Sequence, residues 1–148
     1  MVDVARTFTI PRPVDEVVDY LKDFAHAVHW DPGTLQCTRT STGPVREGSR
    51  WRNVSVFRGR RTELVYELTR WEPRRLTFVG TNKTATSTDD LTFAPCGDDG
   101  AATEVTYRAH VRFHGLARLA DPFLRREFER LGDELVVTMP LAVAAARD

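Results

Sequence analysis

The 148-residue chain has little cysteine, almost no lysine, no net charge and no long apolar run, and each shortage removes a class of protein. Its two cysteines, Cys37 and Cys96, stand far apart and form no CxxC-type pair, so they read as reduced thiols rather than a disulfide framework. Basic and acidic side chains number 21 each, which leaves no global field to draw in nucleic acid or an anionic membrane. Lysine occurs only at Lys22 and Lys83, and the excess of arginine reads as genome composition rather than function. No apolar stretch approaches the roughly 20 residues that cross a bilayer. The opening "MVDVARTFTIPRP" has neither the basic start nor the apolar run of a secretory signal. The expectation is a soluble, cytoplasmic protein without membrane insertion and without nucleic-acid binding.

What is present suffices for a self-supporting core. Hydrophobic residues make up 41% and charged residues 28% of the chain, as in ordinary soluble proteins. A chain of this size buries about 68–70% of its unfolded surface and needs no metal staple. Repeats, low-complexity tracts and linker-like stretches are missing, so residues 1–148 read as one domain.

Val2, Val4, Phe8 and Ile10 alternate as in a strand, with Arg6 interrupting the apolar face. Pro13 then stands at a helix start, Asp15 and Glu16 lie in the first turn, and Val14, Val17, Val18 and Leu21 follow helical spacing. Phe24 carries that face into a short helix or turn ended by Asp31-Pro32-Gly33. From residue 34 the period is two, in runs at about 34–42, 49–57, 61–71, 75–81, 85–94 and 103–114. Turn signals separate them, as an antiparallel meander requires. After Gly115 a helical stripe returns as Leu124, Phe128, Leu131 and Leu135, with Pro122 near its start and Pro140 expected to kink or stop it. The fold class is therefore α+β: a seven-stranded curved antiparallel sheet around a long C-terminal helix, with two short helices after the first strand.

A bent sheet closed over one helix leaves a space, and strand alternation says what faces it. Trp51, Asn53, Ser55 and Phe57 share one face of their strand; Leu64, Tyr66, Leu68 and Arg70 another; Ser87, Asp89, Leu91 and Phe93 a third. These aromatic and aliphatic sets with a few polar groups suggest a cavity rather than a plain aliphatic core.

Four segments, "IPRPVDEVVDYLKDFAHAVHWDPG", "GPVREGSRWR", "YELTRWEPRRLTF" and "TEVTYRAHVRFHGLARLADPFL", resemble the polyketide cyclase/dehydrase and lipid-transport branch of the START/Bet v1-like (SRPBCC) superfamily. The resemblance covers nearly the whole chain. It implies a helix-grip fold around a deep hydrophobic cavity, and members that are lipid carriers, metabolite binders or aromatase/cyclases acting on poly-β-ketone chains. Fold alone implies ligand binding better than catalysis.

The resemblance places Trp30, in "HWDPG", at the cavity mouth; the residues alone equally allow a plug between the sheet and the first helices. Arg70 matches an arginine that in the aromatase/cyclases is proposed to steady an enolate or carbonyl oxygen, a task suited to a permanently cationic donor. Its place beside the turn in "TRWEPRR" also suits a solvated residue. Tyr66 and Tyr107 are candidate proton donors or wall residues. Asp89 becomes a general base only if burial raises its pKa. Expected ligand contacts are Trp30, Trp51, Asn53, Leu64, Leu68, Asp89, Leu91, Phe93, Tyr107, Phe128 and Leu131, with Arg70 and Tyr66 as catalytic candidates. No cofactor is expected, and no metal, because His26, His29 and Asp31 lack a completing ligand. "RGRR" at 58–61 reads as a solvated basic turn, His110 and His114 as surface residues, and no nucleophile elbow is present. A hydrophobic small-molecule ligand is the predicted partner, of a monomer or homodimer. Binding of a polyketide, lipid or aromatic metabolite is the first reading and a cyclase or dehydratase the second. A third is a partner-binding module whose cavity responds to ligand.

Overall fold

The computed structural model describes residues 1–146. Its strands are β1 (Val2–Ile10), β2 (Thr34–Arg39), β3 (Arg50–Phe57), β4 (Arg60–Glu72), β5 (Arg75–Thr81), β6 (Ala85–Cys96) and β7 (Ala102–Phe113). They form one antiparallel sheet in the order β1-β7-β6-β5-β4-β3-β2, a meander closed by the return of β7 to β1. Between β1 and β2 lie α1 (Val14–Leu21), a 3₁₀ turn and α2 (Ala27–Trp30). The long α3 (Asp121–Ala145) follows a 3₁₀ segment at Gly115–Ala120. This is the seven-stranded curved sheet around a long helix that the periodicities predict. No helix among the described residues is long and apolar enough to cross a membrane.

The seat of α3 explains the break in the first strand's apolar face. Arg6 does not disturb the core; it reaches up to the helix. Its guanidinium donates to the Glu129 carboxylate at 2.7 Å, to the Glu129 carbonyl at 3.1 Å and to Asp133 at 3.0 Å. One turn on, α3 touches β1 through Gly132, where a Cβ would lie 2.7 Å from Val4 Cγ1 and 3.5 Å from the Arg6 guanidinium. Beyond that contact Leu135, Met139 and Val143 bury themselves against the sheet. Thr138 donates to the Trp30 carbonyl at 2.7 Å, tying α3 to α2. Pro140 neither stops nor ends the helix, which continues to Ala145. Pro122 falls in the first turn, where its missing N–H costs no helical bond.

One end of the cup is packed solid. Phe24 sits among Tyr66 at 4.4 Å, Phe78 at 4.6 Å, Trp30 at 5.7 Å and Trp51 at 6.2 Å between ring centroids. Trp51 is fixed further by donating its indole N–H to Asp23 at 3.0 Å. Leu68, Leu76, Leu91, Phe93 and Val105 complete this core.

The strand register corrects one expectation. Leu68 pairs with Phe78, but Arg70 pairs with Thr77, so β4 carries a bulge at Thr69. The extra residue exchanges the two faces beyond it. Arg70 therefore leaves the inward face on which strict alternation puts it. It lies exposed on the outer face, 3.5 Å from Glu72, and Trp71 takes the inward side at the rim.

The close approach at Gly132 sets a sign that helix propensity alone would reverse. Alanine is favoured over glycine in a helix by about 1 kcal/mol, whereas crowding a packed contact costs about 1–3 kcal/mol. Gly132→Ala is expected to destabilise the protein by about 1 kcal/mol net, and by no more than about 2, in urea denaturation. A stabilised variant would show that α3 rides higher over β1 than described.

Candidate functional site

Where the C-terminal half of α3 is pressed into the sheet, its N-terminal half stands over it and leaves a cavity of about 190 Å³. The walls are apolar: Leu64 from β4, Ala109 and Val111 from β7, and Phe128, Leu131 and Leu135 from α3. The mouth lies at the β3–β4 and β5–β6 turns. Phe57 stacks on Phe128 there at 4.6 Å, with Phe113 6.4 Å from the same ring.

Polar groups gather toward the packed core. Register puts Tyr66, Gly80 and Ser87 in one row across the sheet. Asp89 with Ala109 lies in the next, and Tyr107 in the third. Tyr66 lies flat over Gly80, where a Cβ would meet its ring at 2.7 Å. Tyr107 donates its hydroxyl to Asp89 Oδ2 at 2.9 Å, and Ser87 Oγ lies 3.5 Å from the other oxygen. A second chain runs from Ser55 to Asn53 (2.6 Å), Asn53 to Thr34 (3.1 Å) and Thr34 to Asp31 (2.7 Å). The Gly33 N–H also donates to Asp31, at 3.1 Å.

The chemistry of this cluster follows from its burial. Taking Asp89 out of water raises its pKa from 3.8 to about 7; the Tyr107 hydrogen bond opposes the rise and the negative charge of Asp31 adds to it. Asp31 is itself raised by burial, against the pull of its bonds from Thr34 and Gly33. Both tyrosines are held well above their usual range, first by burial and then by the nearby Asp89. The cluster thus presents phenols that stay protonated beside a carboxyl that changes state near neutrality. Cys37, next to Asn53, is pushed by burial up to about 12, which leaves it a thiol and no nucleophile at neutral pH.

Of the residues singled out from the sequence, Leu64, Tyr66, Asp89, Tyr107, Phe128 and Leu131 do meet around this space. Trp51, Leu68, Leu91 and Phe93 face inward as alternation requires, but belong to the solid end of the cup and do not line the cavity. Asn53 stands behind the lining and holds Ser55 and Thr34. Trp30 is 1% exposed and packs edge-on to Tyr107 at 6.4 Å, so it plugs the inner end rather than gating the mouth. Its indole N–H has no partner among the described residues. Arg70 lies outside on the far face of the sheet.

The histidines of the "HWDPG" region diverge. His26 stacks on Tyr20 at 4.2 Å and bonds its carbonyl at 2.7 Å, while His29 is exposed and Asp31 turns to Thr34. Among the described residues no three His, Cys, Asp or Glu side chains converge as a metal site. His110 pairs with Asp3 and His114 with Thr86 at 2.8 Å, on the strand face away from the cavity.

The sequence marks Asp31 as a turn residue and a possible metal ligand, and gives no sign that its carboxylate lines the cavity. Ser87 and Ser55 were on the correct faces and small enough to pass as filler. Gly80 left a readable signal: a lone glycine inside a strand run marks a close approach.

A family model described as polyketide cyclase / dehydrase and lipid transport matches residues 1–139. No curated protein sequence matches the chain. Among solved structures, the Thermus thermophilus protein TTHA0849 is similar with a TM-score of 0.80 at 17% identity, covering 99% of both chains. A START superfamily protein from Mycobacterium smegmatis gives 0.78 at 12% identity, over 96% of this chain and 97% of that one. The Zhui aromatase/cyclase from a Streptomyces species gives 0.72 at 14% identity, over 95% and 90%. Such low identities carry the fold alone, but the family model spans nearly the whole chain: the protein belongs to the polyketide cyclase / dehydrase and lipid transport family and has the START/Bet v1-like helix-grip fold.

Proposed function

We propose that the chain binds one small, mainly apolar molecule bearing a hydroxyl or carbonyl oxygen, and that residues 1–148 act as a single ligand-binding domain. The observation that carries this reading is the division of the cavity into apolar walls and an inner end holding Tyr66, Ser87, Asp89 and Tyr107. An oxygen on an apolar body would lose its water on entry and recover a hydrogen bond only at that end. The volume of about 190 Å³ lies below the roughly 300–1,000 Å³ of drug-sized sites, which favours a one- or two-ring molecule over a long chain. The two free cysteines fit a reducing cytoplasm.

A second reading is catalytic and has its own observation, the Asp89–Tyr107 pair. A carboxyl poised near pH 7 can take or return a proton at carbon while a phenol donates to the carbonyl oxygen, as enolisation and dehydration require. This differs from the arginine-based scheme, since Arg70 is outside the cavity. Three structures with similar folds are described as aromatase/cyclase or ARO/CYC proteins, two of them di-domain, and they leave the catalytic reading open for this chain.

Binding is tested with 2-naphthol, whose fluorescence reports its surroundings. Tyr107→Phe and Asp89→Asn are each expected to weaken it about tenfold, the loss typical of one buried hydrogen bond, while Arg70→Ala binds as wild type. Equal binding by all variants would remove the oxygen-recognition role. For the catalytic reading, wild type should exchange the α-protons of 2-tetralone in D₂O above the buffer rate, and Asp89→Asn should not; exchange unchanged by the substitution rules it out.

Asp89 also makes stability depend on pH. Its folded pKa of about 7 lies above the 3.8 of an unperturbed aspartate, so between these values the folded chain keeps a proton that the unfolded chain has lost. The protein is therefore expected to be most stable below about pH 4 as far as this group is concerned, losing on the order of 4 kcal/mol as pH rises through about 7. Asp31 acts in the same direction. Urea denaturation at several pH values should show this slope in wild type and a shallower one in Asp89→Asn.

A further inference from the structure

We propose that the cavity-mouth end of the molecule docks on an anionic membrane surface, a role separate from whatever the cavity holds. The formal charge of the chain is zero, yet its cations are unevenly placed. Arg58 and Arg60 lie at the β3–β4 turn, Lys83 at the β5–β6 turn, Arg118 in the 3₁₀ segment, and Arg125 and Arg126 near the start of α3. The β-register brings all these segments to one end: β3, β5 and β7 finish there, and β4, β6 and α3 begin there. All six side chains are exposed, and none forms an ion pair among the described residues. Elsewhere on the sheet Arg50, Arg52 and Arg75 are paired with Glu67, Glu63 and Asp90, although Arg108 of β7 is exposed without an ion pair among the described residues. Arg125 and Arg126 also stand near a helix N-terminus, where the dipole disfavours cations. No ion pair among the described residues accounts for this placement.

The same end carries exposed apolar side chains. Leu116 is 86% and Leu119 is 73% exposed, the most exposed large apolar residues described. They are three apart in the 3₁₀ segment, and residues at that spacing eclipse one another along a 3₁₀ helix, so both project from one side. Unpaired cations around projecting leucines match the two contributions to interfacial binding, Coulomb attraction to acidic headgroups and burial of apolar side chains at the acyl boundary. Cations drawn from four segments form a rim, which suits an extended surface better than a linear strand of charge. An acidic protein would use the arginines but has no call on both leucines. Docking in this orientation turns the cavity mouth, with Phe57, Phe113 and Phe128, toward the lipid.

The test is co-sedimentation of the whole chain with vesicles of phosphatidylcholine alone or with about one-third phosphatidylglycerol. Wild type is expected to partition at least about tenfold more strongly to the anionic vesicles, and to lose this when NaCl rises from about 0.1 to about 0.5 M. Leu116→Asp with Leu119→Asp should remove at least about tenfold, as should Arg58→Glu with Lys83→Glu, each with unchanged circular dichroism and melting temperature. Because none of the four lines the cavity, all variants should bind 2-naphthol as wild type does, which separates this test from the ligand-binding one. Equal partitioning to both vesicle types overturns the proposal. So does leucine-independent binding, which would indicate an acidic macromolecule instead, or a solution dimer that buries Leu116 and Leu119.

Discussion

The seating of α3 on β1 governs everything else in the molecule. A helix covering a curved sheet can press down along its whole length or only part of it. Here Gly132 lets the backbone approach Val4, and Arg6 clamps Glu129 and Asp133 on the same turn. From that point toward the C-terminus, Leu135, Met139 and Val143 fill the cup. Toward the N-terminus Phe128 meets the sheet at the rim, stacked on Phe57, and the space that it and Leu131 roof is the cavity. One contact thus divides the interior into a solid half that stabilises the fold and an open half that is free for a ligand.

That division decides the chemistry of the polar residues. Asp89, Tyr107 and Tyr66 lie on the boundary, close enough to the packed aromatic cluster to be dry and close enough to the cavity to meet a guest. A carboxyl in such a place resists ionisation, and its tyrosine bond offsets the cost only in part. Neighbouring Asp31 is dry for the same reason, and its charge makes Asp89 harder to ionise. The cluster costs stability near neutral pH, as functional sites commonly do.

Much of this was legible in the residues. The period-two runs and the helical stripe after Gly115 are the observed elements with boundaries moved by a few residues, because alternation is enforced wherever one face of a sheet is buried. Cavity and core could not be told apart that way. Leu64 and Leu68 share a face of β4, and only the helix overhead decides that the first lines a space and the second is packed. Arg70 was misplaced for a different reason: a bulge at Thr69 adds one residue without any glycine to announce it, and one residue is enough to reverse the face. The mouth cations were equally hidden, since Arg58, Lys83 and Arg125 are distant in sequence and only the meander gathers them.

The claim at the centre of this account is that the space beneath the N-terminal half of α3 holds a ligand. Native mass spectrometry of freshly isolated wild type, beside an Ala109→Phe variant that fills the space from β7, tests it directly. Wild type should carry an added small-molecule mass that is missing from a variant folded as well as the parent. The same added mass on both proteins would place the ligand elsewhere and contradict it.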